Sequence, residues 1–133
     1  IDVLQTRRDD IRILKGIESD ILADGSLDYD DDFLTRFDLV VVAAHNTLNM
    51  DQAQPTKRVV RALEHPATSI FAHPTGRLLL ERDGYPIDLD EILAAAAAHD
   101  VAIELNTHPA RFDLEVLPRR LGEPRSRRCA RRR

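Results

Sequence analysis

Three short apolar runs in this sequence each lead into a side chain able to bind a metal ion. Arg12 to Ile17 leads into Glu18 and Asp20, Leu39 to Ala44 into His45, and the run beginning at Ile70 into His73. A carboxylate with two imidazoles is a donor set for Zn²⁺, Mn²⁺ or Fe²⁺. A lone histidine at a strand end is more often structural; repetition at the same point of successive units favours the metal reading. The stretch Ile70 to Arg77 (Ile-Phe-Ala-His-Pro-Thr-Gly-Arg) carries the most. Pro74 blocks continuation of a strand past His73, and Gly76 allows a tight turn. Arg77 supplies a planar cation suited to phosphate or carboxylate. The chemistry this set fits is hydrolysis by metal-activated water, with Arg77 neutralising charge that develops on a phosphoryl group.

Such side chains act together only if the backbone brings them to one place. The runs are short, β-branched in character and closed by a polar residue; a fourth, Val101 to Leu105, leads into Asn106. As parallel neighbours about 4.8 Å apart, they would converge on one rim, where ligands bind in α/β folds. Between them the pattern predicts helices. One covers Gln54 to Glu64, with Val59, Val60 and Leu63 on its apolar side, and ends at His65-Pro66. Another covers Leu89 to His99, with Asp88 as N-cap, Glu91 completing a capping box, and five alanines from Ala94 to Ala98 that let it lie close to a sheet. Turns are expected at Ala23 to Ser26 and at Asp83-Gly84. The acidic run Asp28 to Asp32 reads as a helix N-terminus, where carboxylates meet the positive dipole end, in preference to a metal site. Ile1 to Arg12 reads as the end of an amphipathic helix, and the chain as a piece of a longer protein. Alternating strands and helices mean βα units and a parallel sheet or barrel; four units are too few to close a barrel. Of the other histidines, His65 and His99 sit at helix ends. His108 shares the rim with Asn106 and Arg111, which are placed to orient substrate.

The bulk numbers bound the functions. With 133 residues, 43% hydrophobic and 32% charged, the chain suits one soluble domain with a real core. It holds no run approaching a membrane span. Cys129 stands alone, which fits a reducing compartment such as the cytoplasm and gives no disulfide framework. With no Trp and 5% aromatics, a stacking surface for single-stranded nucleic acid is not expected. The net charge of −4 joins two unlike segments: residues 1–118 carry 11 basic and 22 acidic side chains, and residues 119–133 carry 8 arginines and one glutamate. The acidic body argues against broad binding of DNA and suits a site for divalent cations. Residues 117–133 lose all periodicity and read as an Arg-rich tail that is disordered, frame-shifted or a DNA-binding arm.

Lys15-Gly-Ile-Glu18-Ser-Asp-Ile21, Val41-Val-Ala-Ala-His45, Ala72-His73-Pro-Thr-Gly-Arg77-Leu-Leu, Asp83-Gly-Tyr85, and Glu104-Leu-Asn106 with Arg111-Phe-Asp113-Leu114 form a series in chain order. The series resembles consecutive motifs of the PHP (polymerase and histidinol phosphatase) domain. It is most similar to the version at the C-terminus of bacterial family X DNA polymerases, and the His-Pro-Thr-Gly-Arg-Leu-Leu stretch is its most specific part. The resemblance implies a distorted (β/α)7 barrel with up to three divalent ions, Mn²⁺ or Zn²⁺, at its C-terminal rim. It implies a 3′–5′ exonuclease or 3′-end processing activity on DNA, a polymerase domain upstream in the same chain, and no membrane. Glu18 would be a bridging metal ligand, His45 and His73 metal ligands, and Arg77 and Asn106 rim residues near substrate. A small-molecule phosphatase of the histidinol phosphatase kind and a non-catalytic scaffold are the alternatives. The expected extent is a partial PHP domain over 1–116, truncated at both ends. The family's opening His-x-His and closing Asp-x-His motifs have no counterpart here, so little or no nuclease activity is expected of this chain alone.

Overall fold

In a computed structural model, which describes residues 1–8, 10–45 and 53–111, the strands form one parallel sheet in the order β1-β2-β3-β4. They span Gly16–Asp20 (β1), Leu39–Ala43 (β2), Thr68–Phe71 (β3) and Ala102–Ile103 (β4). Helices α1 (Asp2–Gln5) and α2 (Asp31–Leu34) are single turns; α3 (Ala53–Leu63) and α4 (Leu89–Ala98) are the long crossovers. The alternation of strand and helix read from the sequence is present, and the sheet is compatible with part of a barrel. Residues 112–133, and with them the Arg-rich tail and Cys129, lie outside the described residues.

The core is where α3 and α4 meet one face of the sheet. Val40, Val42 and Phe71 from the strands pack with Val59, Ala62 and Leu63 of α3 and Ile92 and Ala96 of α4. The small Ala96 lets α4 approach closely, as its propensity and size predict. The opposite sheet face carries Glu18 and Asp20, because side chains two apart on a strand share a face.

Pairing moves β1 from its expected place. Gly16 aligns with Leu39 and Asp20 with Ala43, so β1 begins four residues beyond Arg12 and contains Glu18 and Asp20. Lys15 shows why: its carbonyl accepts from the amides of Asp38 and Leu39 at 2.8 and 3.1 Å, and its own amide donates to Asp38 Oδ2 at 2.8 Å. The strand is anchored by the entry to β2, which hydrophobicity alone does not reveal. β3 likewise stops at Phe71, before His73, and β4 holds two residues where five were expected. Of the expected N-terminal helix, a single turn forms, and Ile1 and Leu4 are exposed.

Two end caps differ from expectation in an informative way. Asp88 Oδ1 accepts from the amides of Asp90 and Glu91 at 3.0 and 3.1 Å, so Asp88 caps α4. The reciprocal half of the capping box is replaced: the Asp88 amide donates to Thr56 Oγ1 of α3 at 2.8 Å. A local motif has become a tie between two helices. At α2, Asp30 is the N-cap and Asp31 and Asp32 lie in the first turn, as the dipole argument predicts, but no side chain bonds the helix amides. Asp28 leaves this group and turns back to β1, accepting from Ser19 Oγ at 2.6 Å and the Asp20 amide at 3.0 Å.

Arg58 reaches back from α3 across the end of β1. Its Nε donates to the Leu22 carbonyl at 2.6 Å and its Nη2 to the Ile21 carbonyl. Arg58 as a whole is 5% exposed, and burial lowers its pKa from the usual arginine value. An Arg fork satisfying two carbonyls is worth its desolvation only where the chain must be fixed; here it fixes the segment that follows Asp20.

Candidate metal centre

One ligand atom each from Glu18, His45 and His73 lies within 4.8 Å of the others. The three come from different strands or strand exits. Glu18 stands in the middle of β1, not at its tip, and reaches toward the rim from the acidic face. His45 follows β2 by two residues. His73 follows β3 by two residues, where the backbone takes φ +29°.

His45 is held between two carboxylates. Its Nε2 lies 3.3 Å from Glu18 Oε1, and its Nδ1 makes a short hydrogen bond with Asp20 Oδ1. Its ring centroid is 5.2 Å from that of His73, tilted by 53°. His73 is half-buried, and its Nδ1 is buried with no hydrogen-bond partner among the described residues. Burial lowers the His73 pKa, with the charge of Arg111 and then of His45 acting in the same direction and Glu18 opposing. Both the burial and the neighbouring cations favour the neutral form of the ring, which is the form that binds a metal.

The spacing can be compared with real coordination. Zn–N bonds of about 2.0–2.1 Å and Zn–O bonds of about 2.0–2.2 Å, at a tetrahedral angle, place adjacent ligand atoms about 3.3–3.5 Å apart. The Glu18–His45 separation of 3.3 Å meets this; the set as a whole, within 4.8 Å, is wider and would draw together around an ion. The donor types present fit a divalent ion.

Behind the cluster, Glu104 connects two loops. Its Oε2 accepts the His73 amide at 2.6 Å, and its Oε1 accepts from Asn106 Nδ2 at 3.3 Å. A non-glycine residue at positive φ is strained, and this carboxylate stabilises it. Glu104 is a residue the reading by runs and histidines missed; its neighbour Asn106 drew attention because it is the polar residue that closes the run. Asn106 Oδ1 accepts from the His108 amide at 3.0 Å. Arg77 turns its Nε to the Arg111 carbonyl at 3.1 Å, so Arg77 ties two segments together while Asn106 bonds within its own. His108 Nδ1 accepts from the Ala110 amide at 3.2 Å and stays within its own loop. His65 bonds Asp31 at 3.1 Å, and His99 is the C-cap of α4.

Gly76 sits at φ +60°, and a Cβ there would collide with the Tyr85 ring. That close approach lets the Tyr85 hydroxyl donate to the Ala44 carbonyl, immediately before His45. The turn expected from Gly76 therefore has a second use: it admits the aromatic ring that braces the segment leading to His45.

A carboxylate and two imidazoles gathered on a parallel α/β sheet form a candidate metal site, and comparison with known proteins gives the chain relatives. The chain is 46% identical over 116 residues to the DNA polymerase/3′-5′ exonuclease PolX of Bacillus subtilis (strain 168), a match covering 87% of this chain and 20% of PolX. It is 34% identical over 107 residues to a probable phosphatase of Shewanella sp. (strain ANA-3), covering 78% of the chain and 40% of that protein. A probable phosphatase of Thermoanaerobacter sp. (strain X514) is 30% identical over 110 residues, 80% of the chain and 42% of the relative. No family model matches the chain. The chain is a PHP-type segment related to PolX, and it spans about a fifth to two fifths of the length of these relatives. Among the described residues no helix is long and apolar enough to cross a membrane.

Proposed function

We propose that this chain is part of a metal-dependent phosphoesterase domain whose four βα units belong to a distorted (β/α)7 barrel and occupy residues 1–116. Glu18, His45 and His73 would hold a divalent ion, Mn²⁺ or Zn²⁺, one of up to three in the complete domain. The observation that carries this reading is the approach of their ligand atoms to within 4.8 Å. Such an ion supplies an activated water and a positive charge beside a phosphoryl oxygen. The residues divide the remaining work. Glu18 contributes negative charge to a site otherwise built from imidazole rings. Arg77 and Asn106 orient the phosphate ester from the rim, and Arg111 adds positive charge near His73.

The favoured substrate is a DNA 3′ end, cleaved as a 3′–5′ exonuclease or processed at its terminus by a repair polymerase whose polymerase domain lies in the same chain, in the cytoplasm. The 46% identity to PolX supports it. A phosphatase acting on a small phosphate ester is the second reading, supported by the 30–34% identity to probable phosphatases. Calorimetric titration of the chain with ZnCl₂ or MnCl₂ tests the common part. One ion per chain is expected, and loss of at least tenfold in affinity in Glu18→Gln and His73→Ala. Unchanged binding in both variants would remove the site. To separate the substrates, the domain completed with its flanking sequence is given a 3′-recessed duplex and p-nitrophenyl phosphate; release of nucleotides without hydrolysis of the small ester favours the first.

A further inference from the structure

The ring of His45 has a carboxylate at each nitrogen, but the two contacts are unequal. Nδ1 makes a short bond to Asp20 Oδ1, whereas Nε2 stands 3.3 Å from Glu18 Oε1. A neutral imidazole carries one proton, and a carboxylate can only accept. The contact to Asp20 is a hydrogen bond and the one to Glu18 an ion-pair separation, so the proton is placed on Nδ1. Nε2 then turns a lone pair toward an oxygen of Glu18. Two electron-rich atoms face each other at the spacing of neighbouring ligands around a single ion.

Asp20 is itself fixed. It shares a strand face with Glu18. Its amide donates to Asp28 Oδ1 at 3.0 Å, and the buried Ser19 donates to the same oxygen at 2.6 Å. Arg58 clamps the carbonyls of the next two residues. The carboxylate therefore projects from a strand end held by three other side chains, and the ring it orients sits two residues beyond β2.

We propose that Asp20 is a positioning residue. It holds His45 as the Nδ1–H tautomer and so presents Nε2 to an ion shared with Glu18 and His73. Outer carboxylates that accept from a ligating histidine fix its tautomer and raise its basicity, and their loss typically costs 10–100-fold in metal affinity. This inference rests on the metal reading for its purpose, but the tautomer itself can be observed without any ion.

The test is long-range ¹H–¹⁵N spectroscopy of the labelled 133-residue chain, at a pH where the ring is neutral, with His45→Gln identifying the signal. Before metal is added, His45 is expected to carry its proton on Nδ1 with Nε2 bare. Zn²⁺ is expected to move the Nε2 resonance. In Asp20→Ala the tautomer preference collapses and Zn²⁺ affinity falls about 10–100-fold. In Asp20→Asn, whose amide oxygen still accepts, most of both returns; a purely structural role would not be rescued in the tautomer signal. A wild-type proton on Nε2, or an unchanged tautomer in Asp20→Ala, overturns the proposal. If the tautomer behaves as stated but Zn²⁺ leaves His45 untouched, the orienting contact stands and the metal reading falls. Should Asp20→Ala fail to fold, the wild-type tautomer decides alone.

Discussion

Glu18 and Asp20 are one residue type apart by a single methylene, and two positions apart on β1, yet they meet opposite nitrogens of the same ring. The longer side chain reaches forward from mid-strand, while the shorter one works from the strand end. Exchanging lengths should therefore uncouple the pair: Glu18→Asp is expected to lower Zn²⁺ affinity at least tenfold while leaving the thermal midpoint nearly unchanged, because Glu18 is exposed. Calorimetry and a melting curve on the same sample check this. Glu104→Ala removes the acceptor for the His73 amide. It should cost about 1–3 kcal/mol in urea unfolding and also weaken metal binding, since the φ +29° conformation that aims His73 loses its support. The histidines were legible because each ends an apolar run in an otherwise polar loop. Glu104 was not, because its role depends on β4 lying beside β3, and a single carboxylate inside a run of mixed character carries no local sign of that neighbour.

Among the elements, helix α3 does more than cover the sheet. It supplies Arg58 to the end of β1 and Thr56 to the amide of Asp88 at the head of α4. Thr56 is 2% exposed, so Thr56→Val keeps the shape and leaves a donor without its acceptor. A loss of about 1–3 kcal/mol is expected by chemical denaturation. Gly76→Ala should be at least as costly, since φ +60° and the Tyr85 ring both exclude a side chain; loss of the Tyr85–Ala44 hydrogen bond should be visible as a change in Tyr85 fluorescence. The positions of α3 and α4 could be read to within a residue or so, because the 3.6-residue period and the caps are local. Strand starts could not, because Gly16 is selected by its partner Leu39. The expected capping box failed halfway for the same reason: a tertiary hydroxyl outcompeted a local carboxylate for the Asp88 amide.

At the scale of the molecule, an acidic body built around a three-ligand cluster should gain stability from the ion it selects. At a free Zn²⁺ concentration 100 times the dissociation constant, mass action contributes about 2.7 kcal/mol, and the melting midpoint should rise by several degrees and return on adding EDTA. A midpoint indifferent to both would contradict a site organised as described. The parallel α/β class was legible from alternation of patterns alone. The order β1-β2-β3-β4 repeats the order of the chain, and this has a consequence for synthesis on the ribosome. Each new strand joins the one translated just before it, so the sheet can grow while the chain emerges. The three side chains of the proposed site are delivered in turn at positions 18, 45 and 73, so under the proposed function a nascent chain could capture an ion only once the third of them has cleared the exit tunnel.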